Sequence, residues 1–202
     1  MIHLEPNLLI TTASAMVGLG ITGENILGES MVAARMNAEH GGGPLPDYTG
    51  FSWNVAFIEY CGYWSHYHHK QRTSVWPIPP GMTPALLAHY GRCHRLLHES
   101  PQPGDVFLLQ SPQTREFHHA GIVINVERSG RFSQRAAYHD IYAVEGDVSE
   151  DGQVGGGRTL RMQRRAWPHM GDRFLRWADM DRHDELITRA NHIDAVTNRR
   201  RA

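Results

Sequence analysis

An apolar stripe at helical spacing is the feature that most constrains the fold of this chain. Its members recur at intervals of three and four residues, and they are Trp53, Ala56, Phe57, Tyr60, Cys61 and Trp64. Side chains with this period lie on one face of an α-helix, so the segment predicts a helix that packs this face into a core. A Gly- and Pro-rich run at 40–49 precedes it, which places the helix start near 52–54.

The rest of the chain divides into a helical first part and a strand-rich second part. Further helical segments are predicted at 8–37, with a break at 18–23, and at 84–97. From Pro103 onward, short apolar runs alternate with turn residues, which indicates strands. The predicted strands are 106–110, 120–127, 141–145 and 158–164. Helices first and strands second predict an α+β domain, with helices packed on a small antiparallel sheet.

Length and composition set limits on the class of protein. The 202 residues suit one domain, predicted at 1–180, followed by a polar C-terminal helix or tail at 181–202. The formal net charge of -1 gives no global electrostatic reason to expect nucleic acid as a partner. No stretch reaches the roughly 20 apolar residues that a membrane-spanning helix requires.

The N-terminal segment bears on where the protein is made and kept. Residues 8–21 have the small and apolar side chains of a secretion signal, but residues 1–7 contain no Lys or Arg. The positive segment of a signal peptide is therefore missing. Two cysteines, Cys61 and Cys93, are too few for a disulfide framework. We expect cytoplasmic synthesis without a signal peptide, so that any delivery out of the cytoplasm would need another route.

Four short motifs follow one another along the chain. They are SWNVAFI at 52–58, PGDVF at 103–107, HAGIV at 119–123 and VEGD at 144–147. In this order they resemble the CHAP group, which are cysteine- and histidine-dependent amidohydrolases and peptidases, and the related NlpC-type peptidases. The likeness covers residues 8 to 177. It implies a papain-like fold and hydrolysis of amide bonds in peptidoglycan, with no cofactor and no metal.

The resemblance also implies roles for individual side chains. His119 takes the place of the general acid and base, which pairs with a thiolate and later protonates the leaving amine. Glu145 takes the place of the group that accepts the other imidazole N–H, and Asp147 that of a supporting polar group. A plain turn at 145–147, with Asp147 bonded to its local backbone, remains an alternative. Alternation along the strand places His118 on the other sheet face.

The position of the nucleophile is occupied by Asn54 when the motif is aligned on Trp53 and Phe57. A cysteine at a helix start has a lowered thiol pKa, because the helix dipole favours the thiolate. A carboxamide cannot form an acyl-enzyme, whereas asparagine is a favoured N-cap residue. The sequence therefore predicts a peptidoglycan amidase or endopeptidase scaffold that is inactive as written. Asn54 is either native to a degenerate member or a replacement of an active cysteine.

Two other functions stay open at this stage. Cys61 would be the nucleophile of an active enzyme if the helix began at Tyr60, so that Cys61, Trp64 and Tyr67 imitated the family's helix start. The stripe that begins at Trp53 argues against that register. The second possibility is a non-catalytic module that binds peptidoglycan, a cell-wall peptide or a protein partner.

Two clusters of polar side chains are assigned to solvent. His66, His68 and His69 lack the partner ligands that zinc sites show at recognisable spacing, so they are expected at a solvated helix end. Arg164 and Arg165 are likewise expected on a solvated face.

Overall fold

The computed structural model describes residues 6–20, 53–68, 82–133, 136–153, 155 and 157–176. Its helices are α1 (Pro6–Gly18), α2 (Asn54–His68) and α3 (Pro84–Cys93). Its strands are β1 (Leu97–His98), β2 (Val106–Gln110), β3 (Phe117–Ser133), β4 (Ala136–Val148), β5 (Arg158–Ala166) and β6 (Arg173–Leu175), with a 3₁₀ turn at Pro168–Met170. The three helices precede the strands and pack on one sheet, which confirms the predicted α+β class.

The sheet is antiparallel, and its strand order is β1-β6-β2-β3-β4-β5. Each of the four predicted strands is confirmed, although β3 and β4 are much longer than the patterns at 120–127 and 141–145 indicated. Register shifts along the β3–β4 pair show that β-bulges interrupt these long strands. Such bulges break the regular alternation of apolar and polar residues, which is why the pattern marked only the inner segments.

Helix α2 is confirmed, but over residues 53–62 it is buried on all its faces rather than on one. Residues 53–62 are all buried, including Val55 and Ile58, which lie outside the predicted stripe. Helix α1 contacts α2, and strands β3 and β4 contact it as well. A helix that is covered all round in this way is a central element of the core.

Helix α3 ends four residues earlier than the predicted segment 84–97. Thr83 is the N-cap of α3, because its Oγ1 accepts a hydrogen bond from the Leu86 N–H at 3.2 Å. At its end Arg95 takes a left-handed conformation (φ 57°), and the Leu96 N–H bonds back to Gly91 O at 2.8 Å. This is a Schellman motif, and it redirects the chain into β1.

The two faces of the sheet bury separate apolar clusters. The cluster on the helix side includes Val106, Ile122 and Val144. The cluster on the opposite face consists of Phe107, Val123, Ile141, Ala143, Ala166 and Phe174. The Phe174 ring of β6 contacts the His139 ring of β4 at a centroid distance of 5.9 Å, although β2 and β3 lie between those strands. The sheet is therefore curled, and the curl encloses the second cluster.

Several predictions concern parts of the chain that lie outside the described residues. These are the helical segment at 21–37, His69, and the division between a domain at 1–180 and a tail at 181–202. They stay predictions. Among the described residues, no helix has the length and apolar character that crossing a membrane would require.

Candidate functional site

Asn54, His119 and Glu145 form a chain of hydrogen bonds that joins α2 to β3 and β4. Asn54 Nδ2 lies 3.2 Å from His119 Nδ1, and His119 Nε2 lies 2.6 Å from Glu145 Oε2. An ionised carboxylate can only accept hydrogen bonds. The imidazole Nε2 therefore carries a hydrogen and donates a hydrogen bond to Glu145. His119 Nδ1 is then the acceptor for the Asn54 amide N–H. Three of the four sequence motifs thus each contribute one side chain to the same site.

Asn54 is the first residue of α2 rather than its N-cap. The first intrahelical hydrogen bond runs from the Phe57 N–H to the Trp53 carbonyl at 2.9 Å, which gives Trp53 the N-cap position. The expectation of an N-cap role for Asn54 is therefore wrong. Its side chain extends from the first helical turn toward the imidazole on the sheet.

A β-bulge sets the face of the sheet on which His119 lies. His119 opposes Leu109 on β2, whereas Phe117 opposes Gln110, and the register shifts between these two pairs. The shift separates residues that simple alternation would keep on one face. Phe117 packs with the helix-side cluster, while the His119 ring lies 5.7 Å from the Phe107 ring on the other face. His118 is the extra residue of the bulge, and it is exposed.

Two glycines allow the elements of the site to approach one another. A Cβ on Gly146 would lie 2.6 Å from both Phe57 Cβ and Trp53 Cζ3, so α2 packs directly on the β4 backbone. A Cβ on Gly121 would lie 2.8 Å from Glu145 Cγ. Distances this short leave no room for a side chain at either position. Close packing therefore explains why glycine occupies these positions of the HAGIV and VEGD motifs.

Glu145 is a fully buried acid that is paired with Arg164 of β5. Arg164 Nε donates to Oε1 at 2.9 Å, and Nη2 donates to Oε2 at 2.6 Å. Burial raises the pKa of Glu145, but hydrogen bonds and charge interactions with His119 and Arg164 outweigh it and lower the pKa below its usual value. The Glu145 carboxylate is therefore ionised at neutral pH.

The prediction of a solvated Arg164 is wrong. Its side chain is 20 % exposed, and its guanidinium is directed at Glu145. The signal for this pair was weak in the sequence, because it depends on the β4–β5 register, in which Ile141 opposes Arg164. A buried carboxylate requires a compensating cation, but the sequence did not show that Glu145 would be buried or which arginine would compensate it. Arg165 is half-exposed and pairs with Asp140 instead.

Asp147 lies where β4 gives way to the turn before β5. Its backbone is left-handed (φ 64°), and its Oδ1 accepts a hydrogen bond from the Gly157 N–H at 3.4 Å. Its carbonyl accepts a second one from the Gly155 N–H at 2.8 Å. These contacts agree with the alternative prediction, in which Asp147 lies in a turn and bonds to its local backbone. A supporting role for Asp147 in the site stays a prediction.

Cys61 lies seven residues beyond Asn54, about 10 Å further along the helix at 1.5 Å per residue. Its side chain is fully buried, and burial raises the pKa of the thiol well above its usual value. A protonated thiol is a poor nucleophile. Helix α2 begins at Asn54, so the register in which a helix starts at Tyr60 is not present. Cys93 is exposed, with Sγ 3.5 Å from His89 Nε2.

The site is closed to solvent. Asn54 and Glu145 are completely buried, and His119 is 1 % exposed. A substrate could reach the imidazole only after the groups that cover it had moved. Within the described ranges, no three His, Cys, Asp or Glu residues are grouped so as to hold a metal ion. The side chains of His66 and His68 are outside those ranges.

The chemistry that this arrangement permits depends on residue 54. An imidazole with a free acceptor at Nδ1 and a carboxylate at Nε2 can take a proton from a thiol or hydroxyl group placed there. The Asn54 carboxamide offers neither group. Among the described residues, the site joins an imidazole and a carboxylate to an amide side chain, which is not a nucleophile. Comparison with models of known protein families, with curated protein sequences and with solved structures finds no match.

Proposed function

We propose that this chain has a papain-like fold and is a peptidoglycan amidase or endopeptidase scaffold of the CHAP or NlpC type, inactive as written. The observation that carries the proposal is the chain from Asn54 Nδ2 through the imidazole of His119 to Glu145 Oε2. These three residues hold the positions that the sequence resemblance gives to the nucleophile, the base and its orienting acid. The proposed partner is peptidoglycan or a cell-wall peptide.

The position of residue 54 supports a lost cysteine. It lies at the first turn of a 15-residue helix, where the helix dipole would favour a thiolate. It is also within hydrogen-bonding distance of the imidazole nitrogen that is free to accept a proton. A cysteine there would meet both conditions for activation, whereas the carboxamide cannot attack an amide carbonyl.

The second candidate function is a non-catalytic module that binds a cell-wall peptide or a protein partner. The observation that favours it is the closure of the site, since His119 is only 1 % exposed. In that case the three side chains would act as a polar clamp between α2 and the sheet. An active enzyme that uses Cys61 is disfavoured, because burial keeps this thiol protonated.

The test introduces the thiol and measures cleavage of purified sacculi by loss of turbidity and release of muropeptides. We expect Asn54→Cys to gain cleavage, because the new thiol would face a base that is already in place. The unaltered chain and Cys61→Ser should show no cleavage. His119→Ala in the Asn54→Cys background should abolish the gain.

A matched control places a cysteine at the start of another helix. Asn7 is exposed near the start of α1, so Asn7→Cys adds a helix-start thiol far from His119 in sequence, and it should produce no cleavage. Cleavage by the unaltered chain that is lost in Cys61→Ser would contradict the proposal. A folded but inactive Asn54→Cys protein that still binds sacculi would favour the non-catalytic module.

A further inference from the structure

Three segments of the chain meet at the guanidinium of Arg164, and a fourth, β3, is joined to it through Glu145. The residue belongs to β5, and two of its nitrogens donate to the two carboxylate oxygens of Glu145 on β4. Glu145 Oε2 in turn accepts a hydrogen bond from His119 Nε2 on β3. Nη2 also donates to the Gly152 carbonyl in the β4–β5 turn, at 2.9 Å.

The bidentate contact fixes both the charge and the orientation of the carboxylate. A planar guanidinium matches a carboxylate through two parallel hydrogen bonds, which leaves the carboxylate little freedom to rotate. Oε2 is consequently held 2.6 Å from His119 Nε2. Without Arg164, the fully buried carboxylate would retain only the imidazole N–H among these donors. Such a site would favour a protonated, neutral carboxyl group.

We propose that Arg164 is a positioning residue, which holds the Glu145 carboxylate so that the His119 proton stays on Nε2 and Nδ1 faces residue 54 as an acceptor. Its role in hydrolysis rests on the proposed function above. The hydrogen bonds that join Arg164, Glu145 and His119 are present in the unaltered chain and do not depend on that function. Arg164 acts through Glu145 and is not assigned any contact with a substrate.

The β4–β5 turn also contacts the guanidinium of Arg164. Gly152 has a left-handed backbone (φ 82°), and a Cβ there would lie 3.2 Å from Arg164 Nη1. The turn closes on itself through a hydrogen bond from the Gly152 N–H to Ser149 O at 2.8 Å. Its carbonyl is thereby directed at Arg164, so the turn contributes to the position of the carboxylate.

The test follows Glu145 and His119 by nuclear magnetic resonance in the full chain, with labelled glutamate and histidine. In Arg164→Gln we expect the titration midpoint of the Glu145 carboxyl to rise by about one pH unit or more, because a neighbouring cation has been removed. The ring nitrogens of His119 should change from a single tautomer to a mixture. Neither readout requires cleavage, so both stay interpretable if Asn54→Cys proves inactive.

Arg165→Gln is the matched control, because Arg165 is adjacent on β5 and pairs with Asp140. It should leave both signals unchanged. If Arg164→Gln does not fold, Arg164→Lys replaces it. The lysine ammonium keeps the charge but cannot span both oxygens, so a smaller rise in the midpoint is expected. An unshifted Glu145 midpoint with a single His119 tautomer, in whichever variant folds, would overturn the proposal.

Discussion

At the scale of the residue, the site depends on how the Glu145 charge is compensated. A buried carboxylate without partners would take up a proton, yet hydrogen bonds and charge interactions with His119 and Arg164 hold the pKa of Glu145 below its usual value. The same pairing makes Glu145 costly to alter, because each partner would be left with an unmet donor. The ionised form of Glu145 is therefore coupled to folding.

Glu145→Gln should destabilise the protein by about 3 kcal/mol at neutral pH, because the Arg164 guanidinium loses its counter-ion in a largely buried place. A carboxyl group whose pKa is lower in the folded protein than in the unfolded protein stabilises the fold at pH values above its unfolded pKa. That stability is lost as the pH falls through the folded pKa. The difference in unfolding free energy between the two proteins should thus shrink as the pH falls below the ordinary value of 4.5. Urea unfolding at a series of pH values measures it.

Glu150→Gln is the control for this titration, since Glu150 is exposed and pairs with Arg158 at the surface. Surface pairs of this kind contribute little to stability. A difference between Glu145→Gln and the unaltered protein that does not change with pH would contradict the coupling of the Glu145 charge to folding.

At the scale of the element, the approach of α2 to β4 decides whether Asn54 reaches the imidazole. The contact surface is the bare backbone at Gly146, against the side chains of Trp53 and Phe57. The first turn of α2 is consequently packed against the strand that carries Glu145. The bulge in β3 supplies the other half of the geometry, because it turns His119 toward the same point.

Gly146→Ala should lower the free energy of unfolding by about 1–3 kcal/mol, which is the usual cost of overpacking. The new methyl group would lie 2.6 Å from Phe57 Cβ and must displace the first turn of α2. The Asn54–His119 hydrogen bond should weaken as a result. Urea unfolding gives the stability change, and the Asn54 side-chain amide resonances report on the hydrogen bond.

Gly18→Ala is a suitable comparison, because Gly18 ends α1 and has no atom within 4 Å of an added Cβ. This change should be neutral or slightly stabilising, since alanine has a higher helix propensity than glycine. Equal stability losses in the two glycine variants would argue against the close approach of α2 and β4.

At the scale of the whole molecule, the curl of the sheet builds a second core beneath the site. Phe174 comes from β6, the last described element, and its ring contacts His139 across two intervening strands. Phe107, adjacent to His119, belongs to the same cluster. Strand β6 therefore helps to hold the strand that carries the imidazole.

Phe174→Ala should destabilise the protein by about 3–5 kcal/mol, because it leaves a cavity in a cluster that is fully buried. Thermal unfolding with two probes, far-ultraviolet circular dichroism and tryptophan fluorescence, measures the loss. Tyr142→Ala, which removes a 38 % exposed ring from β4, should cost much less. Similar losses in the two variants would contradict a second core enclosed by the curl.

The motifs selected Asn54, His119 and Glu145, which the structure brings into contact, while their roles stay predictions. The sequence by itself determined the α+β class, the described helices and the four longer strands. These features are local, because the period of apolar side chains and the turn residues are properties of consecutive positions. Tertiary structure decided the rest. The two-residue strand β1 exists only through its pairing with β6, and the partner of Glu145 depends on the β4–β5 register. The burial of α2 on every face follows from the elements that surround it, which no pattern within the helix could specify.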